Sequence, residues 1–99
     1  MNSEKVVSNV IFKKITSLLV SYGAKKISVF GSYARGEANL KSDVDIIVEF
    51  SDRKSLLDFV RMELELSEVL GVKVDLLTEK AISPYLIDEI KKEMVVIYE

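Results

Sequence analysis

The sequence contains no cysteine and no histidine. Without cysteine there is no disulfide framework, no thiol nucleophile and no thiolate metal site; without histidine there is no imidazole base, no Ser-His triad and no imidazole ligand. Catalysis in such a chain has to run on carboxylates, hydroxyls, Lys, Arg and cations held through oxygen. There is one Pro and there are four Gly in 99 residues. No repeat, low-complexity tract or Pro/Gly/Ser-rich linker divides the chain, so residues 1–99 read as a single small domain. No apolar run approaches the roughly 18 residues of a membrane span. The start, Met1 to Lys5, lacks the apolar core of a signal peptide, so a cytoplasmic location and no membrane association are expected. Fourteen Lys and Arg against sixteen Asp and Glu give a formal charge of −2. That excludes the general basic excess that drives binding to phosphate backbones, and stable nucleic-acid binding is not expected.

What is present suits a packed core: 48% hydrophobic and 30% charged residues, far from the composition of disorder. From Ser3 to Tyr22, Val7, Ile11, Ile15, Leu18 and Tyr22 recur at helical spacing, and Gly23 supplies a stop. Lys26 to Phe30 is short and partly β-branched and halts at Gly31-Ser32, which predicts a strand followed by a turn. Tyr33 to Gly36 is room for one helical turn, and Glu37 to Ser42 reads as a polar loop. Asp43 to Phe50 alternates, with Val44, Ile46 and Val48 on one face and Asp43, Asp45, Ile47 and Glu49 on the other, a strand. Ser55 to Leu70 predicts a helix with Phe59, Met62, Leu66, Val69 and Leu70 toward the core, ending at Gly71. A second apolar line on it, Leu57, Val60 and Leu64, is expected to be buried too, with a partner-facing stripe as the alternative. Val72 to Leu77 predicts a third strand with Asp75 opposite Val74 and Leu76. Ser83-Pro84 opens a helix to about Glu93, and Met94 to Tyr98 closes as a strand. The order α-β-α-β-α-β-α-β predicts an α/β (α+β) fold, helices packed on a small sheet.

Gly31-Ser32 at a strand-to-helix turn, Asp43-Val44-Asp45 at the start of the next strand, and Asp75 in the third carry the chemical signal. A Gly-Ser pair alone is usually a turn, and two Asp at i, i+2 are usually a solvated edge. Yet Asp is depleted in strands, and two like charges side by side cost stability unless a positive charge lies between them. A divalent cation is the economical explanation. The spacing sharpens it: Gly-Ser, ten residues, then Asp-x-Asp.

In Val29-Phe30-Gly31-Ser32-Tyr33-Ala34-Arg35-Gly36, Ser42-Asp43-Val44-Asp45-Ile46-Ile47-Val48 and Val74-Asp75-Leu76-Leu77, the chain resembles the minimal nucleotidyltransferases of the DNA polymerase β-like superfamily. The resemblance is closest to the antitoxin half of MNT/HEPN toxin–antitoxin pairs. It covers essentially the whole chain, with no departure at the motif positions. It implies a mixed sheet with the Asp-bearing strands adjacent, so that Asp43, Asp45 and Asp75 converge as catalytic residues and metal ligands. Such a carboxylate set with a nucleoside triphosphate suits Mg²⁺, two ions in the two-metal scheme, with ATP as substrate. Asp75 is expected to serve the nucleophile side and to accept a proton. Gly31 and Ser32 are expected to cradle the terminal phosphates, with Arg35 a further phosphate contact and Lys41 and Ser42 weaker ones.

A chain of this size offers the metal and triphosphate half of a site but no enclosing wall, so the acceptor is expected on another chain. The resemblance implies transfer of AMP to a tyrosine of a HEPN-type ribonuclease toxin encoded nearby, in a hetero-oligomer. Two other readings remain: an antitoxin that neutralises its partner by occlusion, and a nucleotide-binding subunit of another complex. Retention of all three Asp with Gly31-Ser32 favours the enzyme, because a pure binder gains nothing from an uncompensated carboxylate cluster.

Overall fold

The computed structural model describes the backbone of residues 3–36 and 43–99, with side chains from Asn9 onward within them. The side chain of Val7 and the expected loop 37–42, with Lys41 and Ser42, fall outside the described residues. The elements are α1 (Ser3–Ser21), β1 (Ala24–Phe30), α2 (Ser32–Arg35), β2 (Val44–Phe50), α3 (Leu56–Leu70), β3 (Val74–Leu77), a 3₁₀ turn (Glu79–Ala81), α4 (Pro84–Glu93) and β4 (Val95–Tyr98). β1 starts two residues earlier than its apolar run suggests, because Ala24 already pairs with Phe50 of β2.

The four strands form one sheet in the order β3-β2-β1-β4. β1 runs antiparallel to both β2 and β4, while β2 and β3 are parallel. This is the mixed sheet that the resemblance implies. The parallel pair is joined through α3, the crossover that parallel strands require. Alternation sends Ile27 and Val29, Val44, Ile46 and Val48, and Val74 and Leu76 to one face, where they bury against Ile15 and Leu19 of α1 and Met62 and Leu66 of α3. Burying each such side chain stabilises by about 1.5–3 kcal/mol. The other face carries Lys26 and Ser28 of β1, Asp45, Ile47 and Glu49 of β2, and Asp75 and Leu77 of β3, matched in register.

α3 begins with a complete capping box: the Asp58 N–H donates to Ser55 Oγ at 3.1 Å and the Ser55 N–H donates back to Asp58 Oδ2 at 2.9 Å. These bonds satisfy donors that a helix start leaves open, and they hold the Asp58 carboxyl below the ordinary Asp range. Tyr22 at the end of α1 donates to Glu65 Oε1 at 2.7 Å, tying the two long helices together. Two sequence expectations on α3 are corrected. Leu57, Val60 and Leu64 are 76%, 52% and 67% exposed, so that line is not buried, and Val69 is also exposed. The reason is geometric: α3 lies on the sheet as an outer layer, with α1 beside it, and the described chain places nothing over its far side. α4 is tied down at its C-terminal end by exposed ion pairs, Lys91 with Glu79 at 3.7 Å and Arg35 with Glu93 at 3.3 Å. No helix among the described residues is long and apolar enough to cross a membrane.

Candidate active site

The site begins where β1 ends. Phe30 is the register partner of Asp45, and Gly31 follows with φ 74°, a conformation that L side chains rarely adopt. A Cβ at position 31 would stand 2.5 Å from Oδ2 of Asp45, a distance real Cβ atoms do not reach. Glycine is therefore what lets this carboxylate lie against the strand end. The chain then turns into α2, where the Arg35 N–H donates to the Gly31 carbonyl at 3.1 Å. Tyr33 is buried in the core and pins the turn to the sheet; burial also pushes its phenol pKa up. The sequence reading missed this anchor, although an aromatic directly after Gly-Ser was its available signal. Ser32, the first residue of α2, is half-buried beside Gly31, where first-turn N–H groups lack helical partners.

Asp45 and Asp75 are register partners on the parallel strands β2 and β3. β3 is an edge strand, and its outward N–H groups are taken up by α3: Val74 donates to Ser67 Oγ and Leu76 donates to Glu63 Oε1, both at 3.2 Å. The Asp75 backbone is thus gripped on both sides, by β2 and by the helix. The two carboxyls are in hydrogen-bonding contact. Partial burial raises the pKa of Asp45 first, then the charges of Asp75 and Asp43 add to it, with Lys73 offsetting part. The unsatisfied demand is for positive charge.

Asp43 is exposed and stands immediately before β2, on the Asp45 side of the alternation, and reaches Asp45 through its field. The expected three-way convergence is thus a touching pair with a third carboxylate beside it. No group of three acidic side chains among the described residues is gathered tightly enough to enclose an ion alone. Asp45 and its register partner Asp75 offer the one or two carboxylates by which a cation such as Mg²⁺ is held when waters and substrate phosphates complete its shell. The donor set is all oxygen, as a hard cation needs. Arg35 is exposed and turns to Glu93, so reaching a phosphate would require it to leave that pair.

Residues 11–97 match the model of a family described as "Nucleotidyltransferase domain". A Methanocaldococcus jannaschii protein that carries a protein adenylyltransferase name is 53% identical over 87 residues, 88% of this chain and 94% of that one. A solved structure described as a minimal nucleotidyltransferase is 37% identical, with a TM-score of 0.76 over 96% of this chain and 95% of that one. A toxin–antitoxin structure with AMP-PNP is 26% identical, with a TM-score of 0.78 over 88% of this chain and 72% of that one. By these matches the chain belongs to the nucleotidyltransferase domain family and is one of its minimal members, an enzyme of the group that includes the protein adenylyltransferases.

Proposed function

We propose that this protein transfers AMP from ATP to a hydroxyl, that of a tyrosine, on a HEPN-type toxin chain, and thereby acts as its antitoxin. One observation carries the reading: Asp45 is held between the bare α-carbon of Gly31 and the carboxyl of Asp75, which sets paired carboxylates directly beside the strand-to-helix turn at Gly31-Ser32. The adenylyltransferase relatives and the neighbour that holds AMP-PNP support the choice of nucleotide and the toxin–antitoxin setting.

Asp43 and Asp45 would hold Mg²⁺ at the triphosphate, and Asp45 and Asp75 would hold it on the acceptor side. A cation so bound supplies charge neutralisation at the triphosphate and acidifies the attacking hydroxyl. Gly31 would let the backbone of the turn come close to the terminal phosphates, while the Ser32 hydroxyl and the α2 N–H groups would donate to their oxygens. The acceptor oxygen attacks the α-phosphorus, the bond from that phosphorus to the bridging oxygen breaks, and pyrophosphate leaves. The hydroxyl proton passes to the Asp75 carboxylate. With little covalent work for the protein, the rate depends on holding attacking and leaving oxygens in line.

The test is incubation with Mg²⁺, ATP labelled at the α-phosphate and the toxin chain. Label should appear on the toxin through an ester stable to denaturation. Label that remains wholly in ATP while the toxin is still neutralised would replace catalysis by occlusion.

A further inference from the structure

We propose that Lys73 is a nucleotide-binding residue of the same site: without a cation its ammonium stands in for one beside Asp43 and Asp45, and when a metal–nucleotide complex binds it turns to the phosphates. The proposal rests on the transfer reaction above and deepens it, by giving the triphosphate a second support on the β3 side, across the carboxylates from Gly31-Ser32.

The parallel ladder puts Lys73 there. The Val44 N–H donates to the Lys73 carbonyl at 2.9 Å, so Lys73 continues the pairing of Val44 with Val74 and Asp45 with Asp75 by one row and stands level with Asp43. Side chains alternate along a strand. Val74 is buried in the core, which leaves Lys73 on the open face with Asp75, and Val44 does the same for Asp43 and Asp45. Two rows on adjacent strands thus carry Asp43 with Lys73, then Asp45 with Asp75. Neighbouring strands lie about 4.8 Å apart and alternate residues about 7 Å, spans that the flexible four-carbon stem of a lysine covers.

Charge gives the lysine its task. The ionised form of Asp45 is opposed by Asp75 and Asp43 and supported by Lys73. Lys73 is exposed and has no ion-pair partner among the described residues, whereas Lys25, Lys54, Lys91 and Lys92 are each paired with an Asp or Glu. Its ammonium is therefore not committed to one position. A divalent cation on Asp43 and Asp45 takes over their neutralisation and repels the ammonium, while phosphate oxygens attract it by charge-assisted hydrogen bonds. The strands lie side by side in the order β3-β2-β1, so a phosphate chain that runs from the Gly31-Ser32 turn across Asp43 ends at Lys73. The two roles have opposite signs: Lys73 competes with a bare cation and assists the metal–nucleotide complex.

The native protein, Lys73→Ala and Lys73→Arg are compared in binding Mn²⁺ alone, read by electron paramagnetic resonance, and AMP-PNP in the presence of Mg²⁺, read by calorimetry. Lys73→Ala should bind Mn²⁺ about threefold more tightly, the scale of one exposed charge pair, and AMP-PNP about tenfold more weakly, the scale of one hydrogen bond to a charged group. Lys73→Arg, which keeps the charge, should stay close to the native protein in both. Every other combination overturns the proposal: loss of both affinities makes Lys73 a prop of the fold, and no change in either, or a change in one alone, takes it out of one role or both. The readout is binding, so it stands apart from transfer. A native protein that binds AMP-PNP with this pattern but transfers no AMP removes the proposed reaction and leaves Lys73 its place, whereas one that binds no AMP-PNP removes both.

Discussion

The carboxylate of Asp45 occupies the space that a side chain on Gly31 would need, with Oδ2 at 2.5 Å from the position of that missing Cβ. The two residues come from different strands and meet because β1 and β2 pair Phe30 with Asp45. Gly31→Ala should therefore push the carboxylate away. Strain at positive φ predicts a stability loss of about 1–2 kcal/mol, and a displacement near 1 Å at the reacting centre predicts about a hundredfold lower kcat/KM. Chemical denaturation and steady-state kinetics on the same sample check both.

Asp45 also sets a pH dependence. Its folded pKa is raised, by burial and by Asp75 and Asp43, so folding favours the protonated form. The contribution to stability is full below the ordinary Asp range and is lost as pH rises through the raised folded value. Without divalent cations the native protein should become less stable across that interval. Asp45→Asn should remove that component and melt higher than the native chain near neutral pH, and added Mg²⁺ with ATP should stabilise the native chain alone. Melting curves across a pH series read all three.

The grip of α3 on β3 predicts a positioning effect. Glu63→Ala and Ser67→Ala each remove an acceptor for an edge N–H, of Leu76 and Val74, at about 0.5–1.5 kcal/mol apiece. Faster hydrogen exchange at those amides should accompany a fall in kcat with KM for ATP little changed, since Asp75 would be less firmly held. The conservative Glu63→Gln should restore most of both.

The exposed line on α3 separates surface from core. Leu57→Lys and Leu64→Lys should change stability by no more than about 0.5 kcal/mol, whereas Leu66→Ala, fully buried, should cost about 2–5 kcal/mol. Urea unfolding of the three variants decides it.

Much of this was readable from the residues. The alternation of β2 placed Asp45 opposite Val44 and Ile46, and Gly23 and Gly71 ended helices where expected, because these features are local. That Asp45 would lie beside Asp75 was not local: strand periodicity does not say which strands pair, or in which direction, and only the resemblance supplied it. Tyr33 was hidden for a related reason, since burial of an aromatic in a four-residue helix depends on the core beneath it. The line Leu57, Val60 and Leu64 misled because apolar spacing on a helix reads the same whether the face meets its own core or nothing in the described chain. The mutual approach of Gly31 and Asp45 was half visible: glycine signalled a turn or a close approach, but not what approached.

The central claim is catalysis by the Asp45–Asp75 pair rather than blockade of a partner. Its most direct measurement is the intact mass of the HEPN-type toxin after incubation with ATP, Mg²⁺ and either the native protein or Asp45→Asn with Asp75→Asn, alongside residual toxin activity. The account predicts an adenylyl mass increment and silenced toxin with the native chain, and neither with the double variant once it has been removed from the mixture. A double variant that silences the toxin as well as the native chain, with no mass increment in either case, would contradict it.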